Sequence, residues 1–126
     1  MKILSIVESA YRATLEEQDD TVIWFTHAVK GAGADLTVLL QGNAVCYGID
    51  GHDPSGLAFG AERQTMPPRL TEDVTKLVDR GVSVFVVEED LAQRGLARSD
   101  VVAGLEMVSR ESLPRLVAGY DQVWHW

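Results

Sequence analysis

Residues 82–96 read Val82-Ser83-Val84-Phe85-Val86-Val87-Glu88-Glu89-Asp90-Leu91-Ala92-Gln93-Arg94-Gly95-Leu96 and carry the clearest structural pattern in the sequence. Residues 82–87 are apolar apart from one serine, which is typical of a strand buried on both faces of a parallel sheet. Three carboxylates follow at once, where the positive end of a helix dipole would stabilise them. The stretch therefore predicts a strand that leads directly into a short helix, which Gly95 ends.

The same order of strand and helix repeats along the rest of the chain. Further strands are predicted at residues 2–7, 36–40, 105–108 and 121–126. Longer helices are predicted after a cap at Asp19 or Asp20, after a cap at Thr71, and from Ser112 to Gly119. Strands that alternate with helices predict βαβ crossovers, and hence an α/β fold with a mostly parallel five-stranded sheet covered on both faces.

Composition limits the kinds of function that the chain can have. Its 126 residues, 46% hydrophobic and 24% charged, predict one globular domain over 1–126. The net charge of −8 argues against a nucleic-acid partner, which would need clustered lysine and arginine. No stretch approaches the roughly 18 apolar residues of a membrane span. A single cysteine fits a reducing compartment, so we expect a cytoplasmic protein.

Residues 48–68 differ from the rest of the chain in composition. Four glycines and three prolines accumulate there, and no apolar period survives. Long loops inside compact domains are usually functional or interfacial, so this one is predicted to be a lid or a contact surface.

Ligands of parallel sheets bind beyond the carboxyl ends of the strands, where three segments should converge. These segments are residues 8–12, 42–46 and 88–90. The residues expected to bind a ligand or partner are Glu8, Arg12, Asn43, Tyr47, Glu88, Asp90 and Arg94.

Cys46 is the sharpest chemical candidate. If Asn43 caps a short helical turn through Val45, Cys46 and Tyr47, free amides and the helix dipole would stabilise a thiolate there. The alternative is a small, buried core residue whose apolar surroundings keep the thiol protonated.

The carboxylates of Glu8, Glu88, Glu89 and Asp90 have two interpretations. Oxygen ligands from several strand ends suit a hard cation such as Mg²⁺. The alternative is a set of solvent-exposed charges at a helix start, each contributing a few tenths to about 1 kcal/mol.

The basic side chains also leave alternatives open. Arg12 and Arg94 could bind an anionic substrate or pair with the carboxylates. The three histidines lack metal-ligand spacing, so neither a metal nor a cofactor is expected, and only His52 is placed to transfer protons. Trp124 and Trp126 should share one face and either pack on the last helix or form a subunit interface.

The quoted stretch resembles the strand-to-helix element of DsrH/TusB-type proteins. The resemblance lies in an apolar strand, an acidic turn and a D-L-x-x-R-G-L run, here residues 90–96. Leu113-Pro114-Arg115-Leu116-Val117 and the terminal Trp126 match that family's ending, and residues 34–45 resemble the broader DsrE/DsrF/DsrH-like (TusD-like) superfamily more loosely.

The resemblance implies a three-layer α/β sandwich, a trimeric or hexameric assembly and, in many members, persulfide transfer by a cysteine. In sulfur-carrying members that cysteine follows the strand that aligns with residues 82–87, where this chain has Glu88-Glu89-Asp90. Members of the DsrH/TusB type can act as subunits that carry no sulfur.

Three hypotheses follow. The first is a homo-oligomeric sulfur-relay protein in which Cys46 carries a persulfide, as a sulfur carrier or sulfurtransferase. The second is a non-catalytic subunit that recruits a sulfur-relay partner through the 48–68 loop. The third is a small-molecule or metal-binding module that uses Glu8, Asn43 and the acidic turn. A Cys46 exposed at a cleft would favour the first hypothesis, and a Cys46 sealed in the core would favour the second.

Overall fold

The computed structural model describes residues 1–11, 20–53 and 55–126. Their strands are β1 (Lys2–Val7), β2 (Asp35–Leu40), β3 (Ala58–Phe59), β4 (Glu62–Arg63), β5 (Ser83–Val87), β6 (Glu106–Val108) and β7 (Gln122–His125). Their α-helices are α1 (Thr21–Gly31), α2 (Leu70–Asp79), α3 (Glu88–Ala92) and α4 (Leu113–Val117). Short 3₁₀ helices span Gly42–Gly48, Arg98–Asp100 and Arg110–Ser112.

Five of the strands form one sheet in the order β6-β5-β2-β1-β7, and every neighbouring pair is parallel. The predicted α/β fold class is therefore confirmed, and the bounds of these strands differ from the predicted ones by at most one residue. The remaining strands, β3 and β4, form a small antiparallel hairpin inside the 48–68 segment, where the sequence predicted no periodic structure.

The sheet is covered on both faces, which makes three layers. On one face Val38 and Val84 pack with Ile23 of α1, Leu77 of α2 and the helix Gly42–Gly48. On the other face, residues of β1, β2 and β5 pack with residues of α4; the cluster contains Leu4, Ile6, Leu39, Val87, Leu113, Leu116 and Val117. Burying one such aliphatic side chain contributes about 1.5–3 kcal/mol, so both layers hold the strand ends in place.

One predicted helix cap differs from the structure, and the choice between two others is settled by it. Asp20 caps α1, because its Oδ1 accepts hydrogen bonds from the amides of Val22 and Ile23, both at 3.0 Å. Thr71 does not cap α2. It lies inside the first turn, where its amide donates to Asp53 Oδ1 at 2.9 Å, so a carboxylate from the loop does the capping. The last helix begins after Ser112 rather than at it, following a 3₁₀ turn.

The two terminal tryptophans share one face, but they do not pack on the last helix. Their rings lie against Phe25 of α1, with centroid separations of 5.9 Å in both cases. Trp126 Nε1 donates to Ser5 Oγ at 3.1 Å. The reason is that β7 pairs with β1, and both indoles extend toward the face of the sheet that α1 covers.

No helix within the described ranges combines the length and the apolar character that crossing a bilayer requires.

Candidate functional site

The carboxyl ends of β1, β2 and β5 meet around Gly42, the first residue of the helix Gly42–Gly48. Its amide donates to Asp90 Oδ2 at 2.7 Å, which joins the end of β2 to the start of α3. Its backbone has φ +56°, and an added Cβ would lie 3.1 Å from Glu8 Cγ at the end of β1. The predicted convergence of the three segments is thus observed for their described residues, whereas Arg12 lies outside the described residues.

The helical turn around Cys46 exists, but Asn43 does not cap it. The residue at the cap is Gln41, whose side chain makes no capping bond. Asn43 Oδ1 instead accepts from Arg94 Nε at 3.1 Å and from Nη2 at 2.7 Å. Cys46 lies near the carboxyl end of this helix, where its carbonyl accepts from the amide of Ile49 at 3.1 Å. The helix-start argument for a thiolate was therefore wrong, because the turn begins earlier than predicted.

Cys46 lines an open cleft of about 580 Å³ and is partly exposed there. The cleft is lined by Ala10, Tyr11, Asn43, Cys46, Tyr47, His52, Leu70 and Arg94. Four of the predicted site residues are brought together here, namely Asn43, Cys46, Tyr47 and Arg94. The predicted Glu8, Glu88 and Asp90 are not among the lining residues.

A buried polar pair stands behind the cleft wall. The hydroxyl of Tyr47 donates to Asp20 Oδ2 at 2.7 Å, and both residues are buried. Burial raises the pKa of the Tyr47 phenol well above its usual range, and the hydrogen bond to the Asp20 carboxylate and its charge raise it further. Tyr47 is therefore neutral, and its hydroxyl is committed to the core rather than free for a ligand.

Tyr11 and Leu70 line the cleft, but neither was among the predicted site residues. Tyr11 belongs to the 8–12 segment that was predicted to reach the site, but nothing in its neighbours indicated which of those residues would face a cleft. Its hydroxyl is buried and has no hydrogen-bond partner in the described parts of the chain. Leu70 comes from the far side of the long loop, and only the tertiary fold reveals its position.

The three glutamates at this edge of the sheet each interact with a different residue. Glu8 Oε2 lies 2.6 Å from His125 Nε2, and Glu88 Oε1 lies 3.8 Å from an Arg98 nitrogen. Glu89 Oε2 accepts from the Arg110 amide at 2.7 Å. No three His, Cys, Asp or Glu side chains gather as a metal site in residues 1–11, 20–53 and 55–126.

Asp90 corrects the expectation of an exposed acidic turn, because it is only 8% exposed. Its Oδ2 accepts from the Gly42 amide and its Oδ1 pairs with the Arg110 guanidinium. Arg94 was expected to bind an anion or to pair with a carboxylate. Among the described residues it does not pair with a carboxylate, and its Nη1 donates to the backbone carbonyl of Asp90 at 2.8 Å. That Asp90 or Glu88 binds a ligand stays a prediction.

Comparison with known proteins is informative for the fold. Neither a family model nor a curated protein matches this sequence. Among solved structures, the ychN protein from E. coli is similar, with TM-score 0.74 and 18% identity over 99% of this chain and 98% of that one. A protein of unknown function, MTH1491 from Methanobacterium thermoautotrophicum, is similar with TM-score 0.59 and 16% identity over 97% and 96% of the two chains. The chain therefore shares the α/β fold of these proteins over almost its whole length.

Proposed function

We propose that this protein is a sulfur carrier of the DsrE/DsrH-like kind that holds a persulfide on Cys46. The observation that carries the proposal is the position of Cys46. It packs against the main core cluster, but it is partly exposed and lines a cleft beside the carboxyl edge of the sheet, which favours a carrier.

The position of Cys46 also offers an explanation for the missing cysteine after β5. The family's cysteine follows the strand equivalent to β5, whereas Cys46 follows β2. These two strands are neighbours in the sheet, and the Gly42–Asp90 hydrogen bond joins the segments that follow them. A thiol on the helix Gly42–Gly48 is therefore carried on the segment next to the position that the family uses.

The chemistry needs no cofactor. The Cys46 thiolate attacks the outer sulfur of a donor persulfide, the donor S–S bond breaks, and the donor leaves as a thiolate. In the second step an acceptor thiolate attacks the outer sulfur on Cys46 and releases the Cys46 thiolate. One sulfur atom moves in each step, with no net oxidation.

The test is mass spectrometry of the intact protein after exposure to a persulfide donor. The wild type should gain the mass of one sulfur atom, and Cys46→Ser should gain none. A wild type that stays unmodified while a small control thiol is labelled would contradict the proposal. It would favour instead a non-catalytic subunit, for which the exposed Phe59 of the β3–β4 hairpin offers a partner contact.

A further inference from the structure

Arg94 places a positively charged guanidinium at the cleft. Nε and Nη2 donate to the amide oxygen of Asn43, and Nη1 donates to the backbone carbonyl of Asp90. Both acceptors are neutral. Within the described part of the chain, no carboxylate oxygen forms an ion pair with this guanidinium, although the protein has 19 acidic and 11 basic residues.

The same three bonds fix the guanidinium in place. Two of them converge on one oxygen of Asn43, which sets the plane of the group, and the third ties it to the start of α3. An arginine side chain has five N–H donors, so two remain for a ligand. A planar cation that is already ordered loses little entropy when it binds a carboxylate or sulfonate through two parallel hydrogen bonds.

The other described lining residues include no carboxylate. None of the eight is Asp or Glu, and His52 is the only titratable base beside Arg94. In a protein with net charge −8, the charged side chain among these described lining residues is thus a cation, and the buried Asp20 carboxylate behind the wall accepts from Tyr47. The volume of about 580 Å³ suits a small organic molecule.

We infer that the cleft selects small anionic sulfur compounds, with Arg94 binding the carboxylate or sulfonate of a ligand whose sulfur reaches Cys46. This inference rests on the proposed function for the sulfur chemistry, but the anion selectivity is independent of it. The substrate class is thus a low-molecular-weight thiol or persulfide that carries a negative group.

The experiment compares two disulfide probes of similar size in exchange with Cys46 of the full-length native chain. One is bis(2-sulfonatoethyl) disulfide, which is anionic, and the other is bis(2-hydroxyethyl) disulfide, which is neutral. In both reactions the Cys46 thiolate attacks one sulfur, a mixed disulfide forms, and one small thiolate leaves. Mass spectrometry of the intact protein gives both rates.

At low ionic strength the anionic probe should react about tenfold faster, because a local positive charge raises the concentration of an anion in a cleft. The ratio should fall as salt is added. In Arg94→Gln the ratio of the two rates should fall toward one. Arg98→Gln is the matched control, because it removes the same charge from a side chain that is 69% exposed and should keep the preference.

Equal rates in the wild type, or an equal loss of preference in Arg94→Gln and Arg98→Gln, would overturn the inference. If Arg94→Gln fails to fold, the salt dependence of the wild-type ratio and the charge-retaining Arg94→Lys still decide. The inference is also overturned if the Cys46 thiol reacts with neither probe until the protein is unfolded. A charge preference without persulfide formation would leave the anion site standing and defeat the proposed function, and the reverse result would defeat only the anion site.

Discussion

Tyr47 and Tyr11 both line the cleft, yet their hydroxyls have opposite environments. The Tyr47 hydroxyl donates to a buried carboxylate, and the Tyr11 hydroxyl is buried without a partner in the described residues. A hydrogen bond to a charged group contributes about 1.5–3 kcal/mol, whereas a buried polar group left unpaired costs about 1–3 kcal/mol. The same substitution, Tyr to Phe, should therefore have different effects at the two positions.

Tyr47→Phe should lower the free energy of unfolding by about 1.5–3 kcal/mol at neutral pH, because Asp20 loses its buried donor. Tyr11→Phe should leave stability unchanged or raise it by up to about 1 kcal/mol. Urea unfolding of the two variants and the wild type measures both effects. A larger loss in Tyr11→Phe than in Tyr47→Phe would contradict the assigned environments.

The raised pKa of Tyr47 also predicts an alkaline loss of stability. Burial keeps the phenol protonated in the folded state, while in the unfolded chain it ionises near pH 10. The stabilising contribution is therefore fully present below about pH 10 and is lost as the pH rises above it. The stability difference between wild type and Tyr47→Phe should shrink between about pH 9 and pH 11 in urea titrations. A difference that stays constant or grows over that range would disprove this linkage.

At the scale of elements, the helix Gly42–Gly48 is positioned by α3. Asp90 accepts from the amide of Gly42, and Arg94, one turn later, holds Asn43. The acidic turn is therefore not uniform, because Asp90 is buried structure and Glu88 is a surface charge whose side chain is 55% exposed.

Asp90→Ala should lower the free energy of unfolding by about 3 kcal/mol, since it leaves a part-buried amide and Arg110 without their acceptor. Glu88→Ala is the matched control from the same turn and should cost less than about 1 kcal/mol, because it removes only an exposed 3.8 Å ion pair. Chemical unfolding of both variants decides. Equal, small losses would place Asp90 at the surface and free it for a ligand.

The strands and most helices were predictable because apolar runs and their glycine or proline boundaries are local signals. The capping of α2 was not, because Asp53 reaches Thr71 from across a loop. Asn43 misled for the same reason, since its ordinary capping role is displaced by a distant arginine. For the candidate site, the sequence predicted which segments converge and that Cys46 lies on one of them, but the cleft walls depend on long-range packing that no local pattern encodes.

At the scale of the whole molecule, large apolar side chains remain at the surface. Among the residues that the structure describes, those with more than two-fifths of their area exposed are Met1, Trp24, Phe59, Met66, Val123 and Trp126. Where such side chains form a contiguous patch, a partner or a second copy often covers them.

We therefore propose that the protein is a homo-oligomer, as a trimer or hexamer. Light scattering at neutral pH should give a mass three or six times that of one chain, which is 13.8 kDa. A single-chain mass that persists across a wide concentration range would contradict this proposal.

A sulfur carrier must release sulfur as well as accept it, so we expect native Cys46 to do both. Protein loaded with one sulfur on Cys46 is mixed, without denaturant, with a small anionic thiol, and the mass of the intact chain is followed over time. We expect the folded protein to return to its unmodified mass while the acceptor gains the sulfur. If the persulfide persists in the folded protein and is lost only on unfolding, Cys46 is not a sulfur carrier, because its sulfur cannot be reached from the cleft.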